Sequence, residues 1–285
     1  MRIFNKIPPP VAIGGVGGSG TRVIANILSE LGFFMGTDLN ESMDNLAFTL
    51  LFKRAALWPP EQHQQAINQA CSLFRKASLS NKAWRKREVK YLHTLCESDR
   101  PAHSKEWLAT RVEQLLQRTE GSAKGGNWGW KEPNTHIVLP ALLKQWPAMK
   151  YIHVVRHGLD MAYSSNQNQL QLWGEQLLGE PVSNISPSAS FQYWCAAHRR
   201  IIDIGKTMGG RFLMLNFDTL CQQPASQFEQ LFTFLEIEAD AALQNALVAL
   251  IQVPDSLGRH RDQIIDYARP ADLQFLTAMG YAVLK

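Results

Sequence analysis

Several things are scarce or missing in this 285-residue chain, and each absence narrows it. It has four cysteines, Cys71, Cys96, Cys195 and Cys221, far apart and with no C-x-x-C pair. That pattern argues against a zinc site and for buried free thiols in a reducing cytoplasm. No apolar run approaches the ~20 residues of a membrane span. The N-terminus, Met1 to Lys6, lacks the apolar core of a signal peptide. No internal repeat or low-complexity tract interrupts the chain, so a cytoplasmic protein with a sizeable core is expected. The net charge of +4 is mild. It suits an anionic ligand and does not call for nucleic acid.

One more absence is local. Val11-Ala12-Ile13 is a short apolar run. It leads into Gly14-Gly15-Val16-Gly17-Gly18-Ser19-Gly20-Thr21-Arg22, and Val23 to Leu31 follow with apolar residues at helical spacing. Strand, glycine-rich turn and helix in that order aim backbone N–H groups and a helix N-terminus at one point, which suits a phosphate. Gly15 to Gly20 has the G-x-x-x-x-G spacing of a P-loop, but Thr21 stands where the P-loop lysine belongs. A kinase uses that lysine on the β- and γ-phosphates. This chain keeps the cradle and drops the lysine.

Downstream, the polar stretch 37–45 carries Asp38, Glu41 and Asp44. A loop just after a phosphate cradle lies near the mouth of a doubly wound site. Glu41 or Asp44 then reads as a general base, against the alternative of a helix cap ahead of Leu46 for which Ser42 or Asp44 has the right chemistry. The cap is preferred for Asp44, and both readings stand for Glu41. Residues 46–120 read as helical, with breaks at Pro59-Pro60 and Arg100-Pro101. Within them Arg75, Lys76, Lys82, Arg85, Lys86, Arg87 and Lys90 face the single acid Glu88, either a solvated face or a docking surface for an acidic acceptor. Gly125 to Asn134 reads as a short strand stopped by Pro133, with Lys131 at its end and a helix starting near Thr135.

Lys150 to Arg156 is the clearest strand, apolar enough to be buried on both faces of a parallel sheet. A turn and helix follow, in which Arg156 and Ser164 are placed to converge on one anion. Arginine suits a phosphate through its planar fork. Asp160 is a salt-bridge partner or a cap. Residues 171–188 read as a loop, Ser190 to Met208 as an amphipathic helix and Arg211 to Asp218 as a further strand. Helices at 224–235, 239–251 and 270–279 complete the reading, with a basic loop at Pro254 to Asp262 whose Arg259 and Arg261 suit a second phosphate.

Taken together, these segments resemble the sulfotransferases that use 3'-phosphoadenosine-5'-phosphosulfate (PAPS), in their bacterial branch. Gly18-Ser19-Gly20-Thr21-Arg22 is similar to the loop for the 5'-phosphosulfate. Trp130-Lys131-Glu132-Pro133 is similar to the lysine segment near the transferring group. Val155 to Ser164 is similar to the segment whose Arg and Ser bind the 3'-phosphate. Leu215 to Leu220 and Ser256 to Arg259 resemble the parts that close over the nucleotide. The resemblance covers residues 11–41 and 125–262. It departs from the family at Gly18, where many relatives have a cation, and at Pro133, where cytosolic relatives have a histidine base.

The resemblance implies an α/β fold with a P-loop-like central parallel sheet of four to five strands flanked by helices. The chain is then a single domain over 1–285, with a helical insertion at 42–125 acting as an acceptor-side lid. It implies metal-independent transfer of a sulfuryl group from PAPS to a hydroxyl or amine of a small molecule or glycan. Lys131 and Arg22 are the implied cations and Glu41 the first candidate base, ahead of Asp44 and His136. Gly17, Gly18, Ser19, Gly20, Thr21, Arg22, Arg156, Ser164, Phe217, Ser256, Gly258 and Arg259 are the implied nucleotide contacts, with Phe217 either against adenine or in the core. The alternatives are a P-loop-type kinase of a small molecule and a nucleotide-binding relative without catalysis.

Overall fold

The computed structural model describes residues 7–98, 100, 102–117 and 126–283. The expectations for Met1 to Lys6, for Pro101, and for Gly125 with the end of the helical stretch lie outside the described residues. The chain forms two compact units. One is built from residues up to Gly14 together with Ile24–Tyr151, the other from Gly15–Val23 with Ile152 onward. Four strands make one parallel sheet: β1 (Val11–Gly15), β2 (Gly129–Lys131), β3 (Lys150–Val155) and β4 (Phe212–Asn216), in the order β2-β1-β3-β4. The register of the first pair sets Val11 beside Gly129 and Ile13 beside Lys131. Five of the six residues of β3 are buried, as its unbroken apolar run requires.

Helices fill the rest. The first unit carries most of α1 (Thr21–Glu30), then α2 (Leu46–Phe52), α3 (Gln64–Leu79), α4 (Lys86–Thr94), α5 (Lys105–Gln117) and α6 (Thr135–Gln145). Its core is aromatic. Phe48 stacks on Phe52 at 4.4 Å and on Trp130 at 5.5 Å, with Phe74 edge-on to both phenylalanines and to Trp130. Each such ring removes about 150–250 Å² from water and tethers the helices to β2.

The second unit holds α7 (Gly158–Ala162), α8 (Asn168–Leu178), α9 (Pro187–Met208), α10 (Phe217–Gln222), α11 (Pro224–Leu235), α12 (Ala241–Val248) and α13 (Pro270–Ala278). The segment expected as a loop over 171–188 is helical as far as Leu178. Burying Leu170 and Trp173 on one face outweighs the interior glycine, and Gly174 is needed because a Cβ there would meet Val182 at 2.5 Å. The helix expected from Ser190 starts at Pro187, because Ser186 accepts the Ala189 N–H and Pro187 fits the first turn. Among the described residues no helix is long and apolar enough to cross a membrane. The four cysteines are unpaired; three are buried and Cys221 only partly so.

The cap of α2 is neither Ser42 nor Asp44 but Asn45. Its side chain accepts from the Phe48 N–H at 3.0 Å and donates to the Met35 carbonyl at 3.0 Å. Asn45→Ala should therefore lose a cap and leave a buried carbonyl unpaired. A loss of about 2 kcal/mol or more is expected in equilibrium urea unfolding; a change under about 0.5 kcal/mol would show that the cap carries nothing.

Candidate active site

The glycine-rich turn, residues 16–20, lies in the second unit. It is closed by the Ser19 N–H on the Val16 carbonyl at 3.1 Å. Gly18 and Gly20 both have φ of 91°, where side chains are strained. At Gly20 a Cβ would also lie 2.1 Å from the Phe217 ring, so only glycine lets the turn rest on that ring. Ser19 is buried, and its hydroxyl has no hydrogen-bond partner. Thr21 is buried at the start of α1, and Arg22 is exposed beside it.

The turn is braced from behind. Gln169 on α8 donates to the Gly15 carbonyl at 3.0 Å, and Tyr193 on α9 donates to Gln169 at 3.2 Å. Neither residue has a sequence signature: Gln169 sits just ahead of the stretch read as a loop, and Tyr193 reads as one more apolar position of an amphipathic helix. In front of the turn, a Cβ on Gly18 would reach Ser164 Oγ at 3.4 Å and one on Gly17 the Asn166 amide at 3.3 Å. Ser164 is not inside the helix, as expected from sequence, but two residues past the end of α7.

Arg156 follows β3 directly, 3% exposed. Its Nη2 donates to the Ser256 carbonyl and to Ser256 Oγ at 3.1 Å, and it lies 3.5 Å from Asp160. Arg156 Nε is buried with no partner. Arg259 shares the same Ser256 carbonyl through Nε at 3.1 Å and reaches the Tyr163 carbonyl at 3.3 Å. Burial, with Arg156 nearby, holds the Arg259 guanidinium below its usual range. Two guanidiniums thus crowd one carbonyl, with the Asp160 carboxylate beside them.

Asp160 organises this corner. It accepts from the Gly258 N–H at 2.7 Å, the His260 N–H at 3.1 Å and His260 Nδ1 at 2.6 Å. Burial works to raise its carboxyl, and the His260 and backbone hydrogen bonds overcome that and bring it down to about 2. His260 stacks on His157 at 4.0 Å. His157 donates from Nε2 to the Ala282 carbonyl at 3.0 Å and accepts the Leu159 N–H on Nδ1 at 3.2 Å. A cavity of about 260 Å³ behind them is lined by His157, Asp218, His260, Tyr281 and Arg261, so Arg261 sits by the cavity and apart from the Ser256 carbonyl contacts.

In the first unit, β2 ends on Lys131, 3% exposed. Its Nζ donates to the Ser42 carbonyl at 2.9 Å and to Asp44 Oδ1 at 2.5 Å. Asn40 ties that loop by accepting from the Ser42 and Asp44 N–H groups and donating to Asp44 Oδ2 at 3.0 Å. Asp44, read from sequence as a cap, is thus the counter-ion of Lys131. Glu132 is fully buried, and burial pushes its carboxyl up against the pull of Lys53, with Asp44 adding to the rise. Glu41 stands exposed on the loop, and His136 is fully buried in the first turn of α6. Among the described residues no group of three or more His, Cys, Asp or Glu side chains is placed to hold a metal ion.

Burial, then the neighbouring His260, bring His157 down to about 4. The unfolded chain therefore takes up its proton near pH 6.5 and the folded chain only near 4. Stability from this site is complete above pH 6.5 and is lost as pH falls toward 4, by on the order of 3 kcal/mol. His157→Asn keeps the Nδ1 acceptor position and removes the titration. It should lower the slope of unfolding free energy against pH between pH 7 and 4.5 by the share of one histidine, leaving the part contributed by His103 and His198, which are also brought down to about 4; an unchanged slope would place the titration elsewhere.

The profile of the sulfotransferase family matches residues 9–241, most of the chain, ending before Ser256 to Arg259. The sulfotransferase domain from the Synechococcus PCC 7002 olefin synthase has a TM-score of 0.57 at 16% identity, over 97% of this chain and 96% of that one. The sulfotransferase STF9 from Mycobacterium avium has a TM-score of 0.48 at 16% identity, over 96% of this chain and 76% of that one. No curated protein matches the chain in sequence. At 16% identity the likeness to the olefin synthase domain speaks for the fold, and the matched profile for the family. With glycine turn, Lys131 and Arg156 all inside the matched stretch, the chain belongs to the sulfotransferase family.

Proposed function

We propose that the chain moves the sulfuryl group of PAPS to a hydroxyl or amine of a small molecule or glycan, in the cytoplasm. The observation that carries this is the pairing, within one unit, of two anion-ready groups. One is the glycine turn with the unpartnered Ser19 hydroxyl. The other is the Arg156–Arg259 pair, with Arg156 Nε also unpartnered. A nucleotide with phosphates at both ends needs two such groups, and a nucleoside monophosphate needs one. The four unpaired cysteines support a reducing compartment.

Bound PAPS would supply an activated sulfur whose bond to the phosphate oxygen breaks as the acceptor oxygen or nitrogen attacks in line. The chain's own part is positioning and charge. Gly17, Gly18, Ser19, Gly20 and Thr21 present N–H and hydroxyl donors to the 5' side. Arg156, Ser164, Ser256, Gly258 and Arg259 hold the 3'-phosphate, and Phe217 supplies an apolar wall. Arg22 and Lys131 neutralise charge that grows on the leaving oxygen, and Glu41 takes the acceptor proton. Asp44 already engages Lys131 and so is the weaker choice of base. The helices over 42–117 form the acceptor side.

Calorimetric titration with adenosine 3',5'-bisphosphate, ATP and AMP, without metal, tests the reading. The bisphosphate should bind at least tenfold tighter than AMP, and Arg156→Ala should weaken it by roughly 10–100-fold while leaving AMP nearly unchanged. A preference for ATP that grows with Mg²⁺ would overturn it in favour of phosphoryl transfer. In a transfer assay, Lys131→Met should lower kcat by about 10²–10³-fold with bisphosphate affinity preserved. Unchanged turnover would remove Lys131 from the reaction.

A further inference from the structure

The first unit contains a second set of cations that none of these roles uses. Arg100 follows the short turn Leu95–Glu97 and is 8% exposed. Its Nε donates to Ser98 Oγ at 3.0 Å, but both terminal nitrogens are buried with no hydrogen-bond partner. Arg54, part-buried just past α2, brings Nη2 within 3.5 Å of the Tyr91 hydroxyl, and its Nε is also buried and unpartnered. His103 is fastened to the same turn by its N–H on the Arg100 carbonyl at 2.9 Å, with its ring edge-on to Trp107 at 4.2 Å. Lys53 directly precedes Arg54.

Lys53, Arg54 and Arg100 act on this pocket as like charges, with the His103 ring beside them. Burial and then Arg54 bring the Arg100 guanidinium down to about 10. Burial, Lys53 and Arg100 bring the His103 imidazole down to about 4. Among the described residues neither Arg54 nor Arg100 lies within ion-pair distance of a carboxylate. A guanidinium cannot shed its proton at neutral pH, so burial without a counter-ion is costly, and a chain that retains two such groups together gains when an anion completes them. The unused nitrogens of Arg100 form the planar fork that matches two oxygens of one oxyanion.

We propose that Arg54 and Arg100, flanked by Lys53 and His103, form an oxyanion subsite that takes the sulfate, phosphate or carboxylate group of a ligand. It shares no residue with the nucleotide-binding groups and does not depend on the transfer reaction assigned above. Lys53 also acts on Glu132, the neighbour of Lys131, so the subsite lies on the Lys131 side of the first unit.

Inorganic sulfate is the probe, with ionic strength held constant by sodium chloride and thermal unfolding as the readout. One series contains saturating adenosine 3',5'-bisphosphate; the other uses Arg156→Ala without nucleotide. Each compares the parent with added Arg54→Met or Arg100→Met. The parent in each series should show a saturable rise in Tm of about 2–4 °C. Both substitutions should start from an equal or higher Tm in chloride and lose the saturable part, keeping only the general salting effect. No saturable rise in the parent, or the same rise after both substitutions, would overturn the subsite. If Arg100→Met does not fold, Arg54→Met, at its part-exposed position, decides by the same criterion. Failure of the bisphosphate to bind would count against the transfer reading alone, because the Arg156→Ala series contains no nucleotide.

Discussion

One buried carboxylate holds the anion corner of the second unit together. Asp160 has no exposure, and its oxygens accept two backbone N–H groups and an imidazole while a guanidinium stands 3.5 Å away. A lone carboxylate in that position would be strongly disfavoured; with these donors it is held ionised. The same bonds pin the residues after Gly258 onto α7. That brings Ser256 to Arg156 and places Arg259 beside it. Lose the carboxylate, and the two arginines lose both their counter-charge and the loop that positions them.

The Lys131 loop and the Arg156 corner handle charge in opposite ways. In the second, Arg156 and Arg259 share one carbonyl, and the acids near them, Asp160 and Asp218, are already engaged by backbone N–H groups, so donors are left in excess. In the first, Lys131 is matched by Asp44 and the Ser42 carbonyl, and Asn40 fixes the geometry of both. An excess suits holding an anion in the ground state. A matched pair suits a cation that must be held still and whose effect is felt only at contact distance. Met43, at φ 63°, is the strained residue in that loop, and its cost is one sign that the geometry around Lys131 is over-determined.

Much of this was legible in the sequence because few residue types can perform the tasks. A turn at φ of 91° that rests on an aromatic ring has to use glycine, so Gly18 and Gly20 announce the turn. An apolar run ending in Arg156 announces a buried strand with a cation at its tip. The parts that were not legible depend on choices between equivalent chemistries. Asp44 and Asn45 are both good caps; the demand of Lys131 for a counter-ion, visible only once β2 is placed, settles which does what. Gln169 was hidden because Gly174 and Gly179 made its neighbourhood look irregular, whereas one glycine admits Val182 and the other ends the helix at φ 77°. Arg100 read merely as a break before a proline, since burial of a charge has no signature in sequence.

The contacts that complete the anion corner join residues far apart along the chain. Arg156 to Ser256 and Asp160 to His260 each span 100 residues. Closing a long loop costs entropy that is recovered only when the final contacts form, and non-local contacts are made late. The contacts among α7, α8 and α9 are closer in sequence and carry no such delay. The second unit should therefore collapse around its helices first and join Arg156 to Ser256 and Asp160 to His260 afterwards, so that during synthesis this corner is completed only once the segment carrying Ser256 and His260 has emerged.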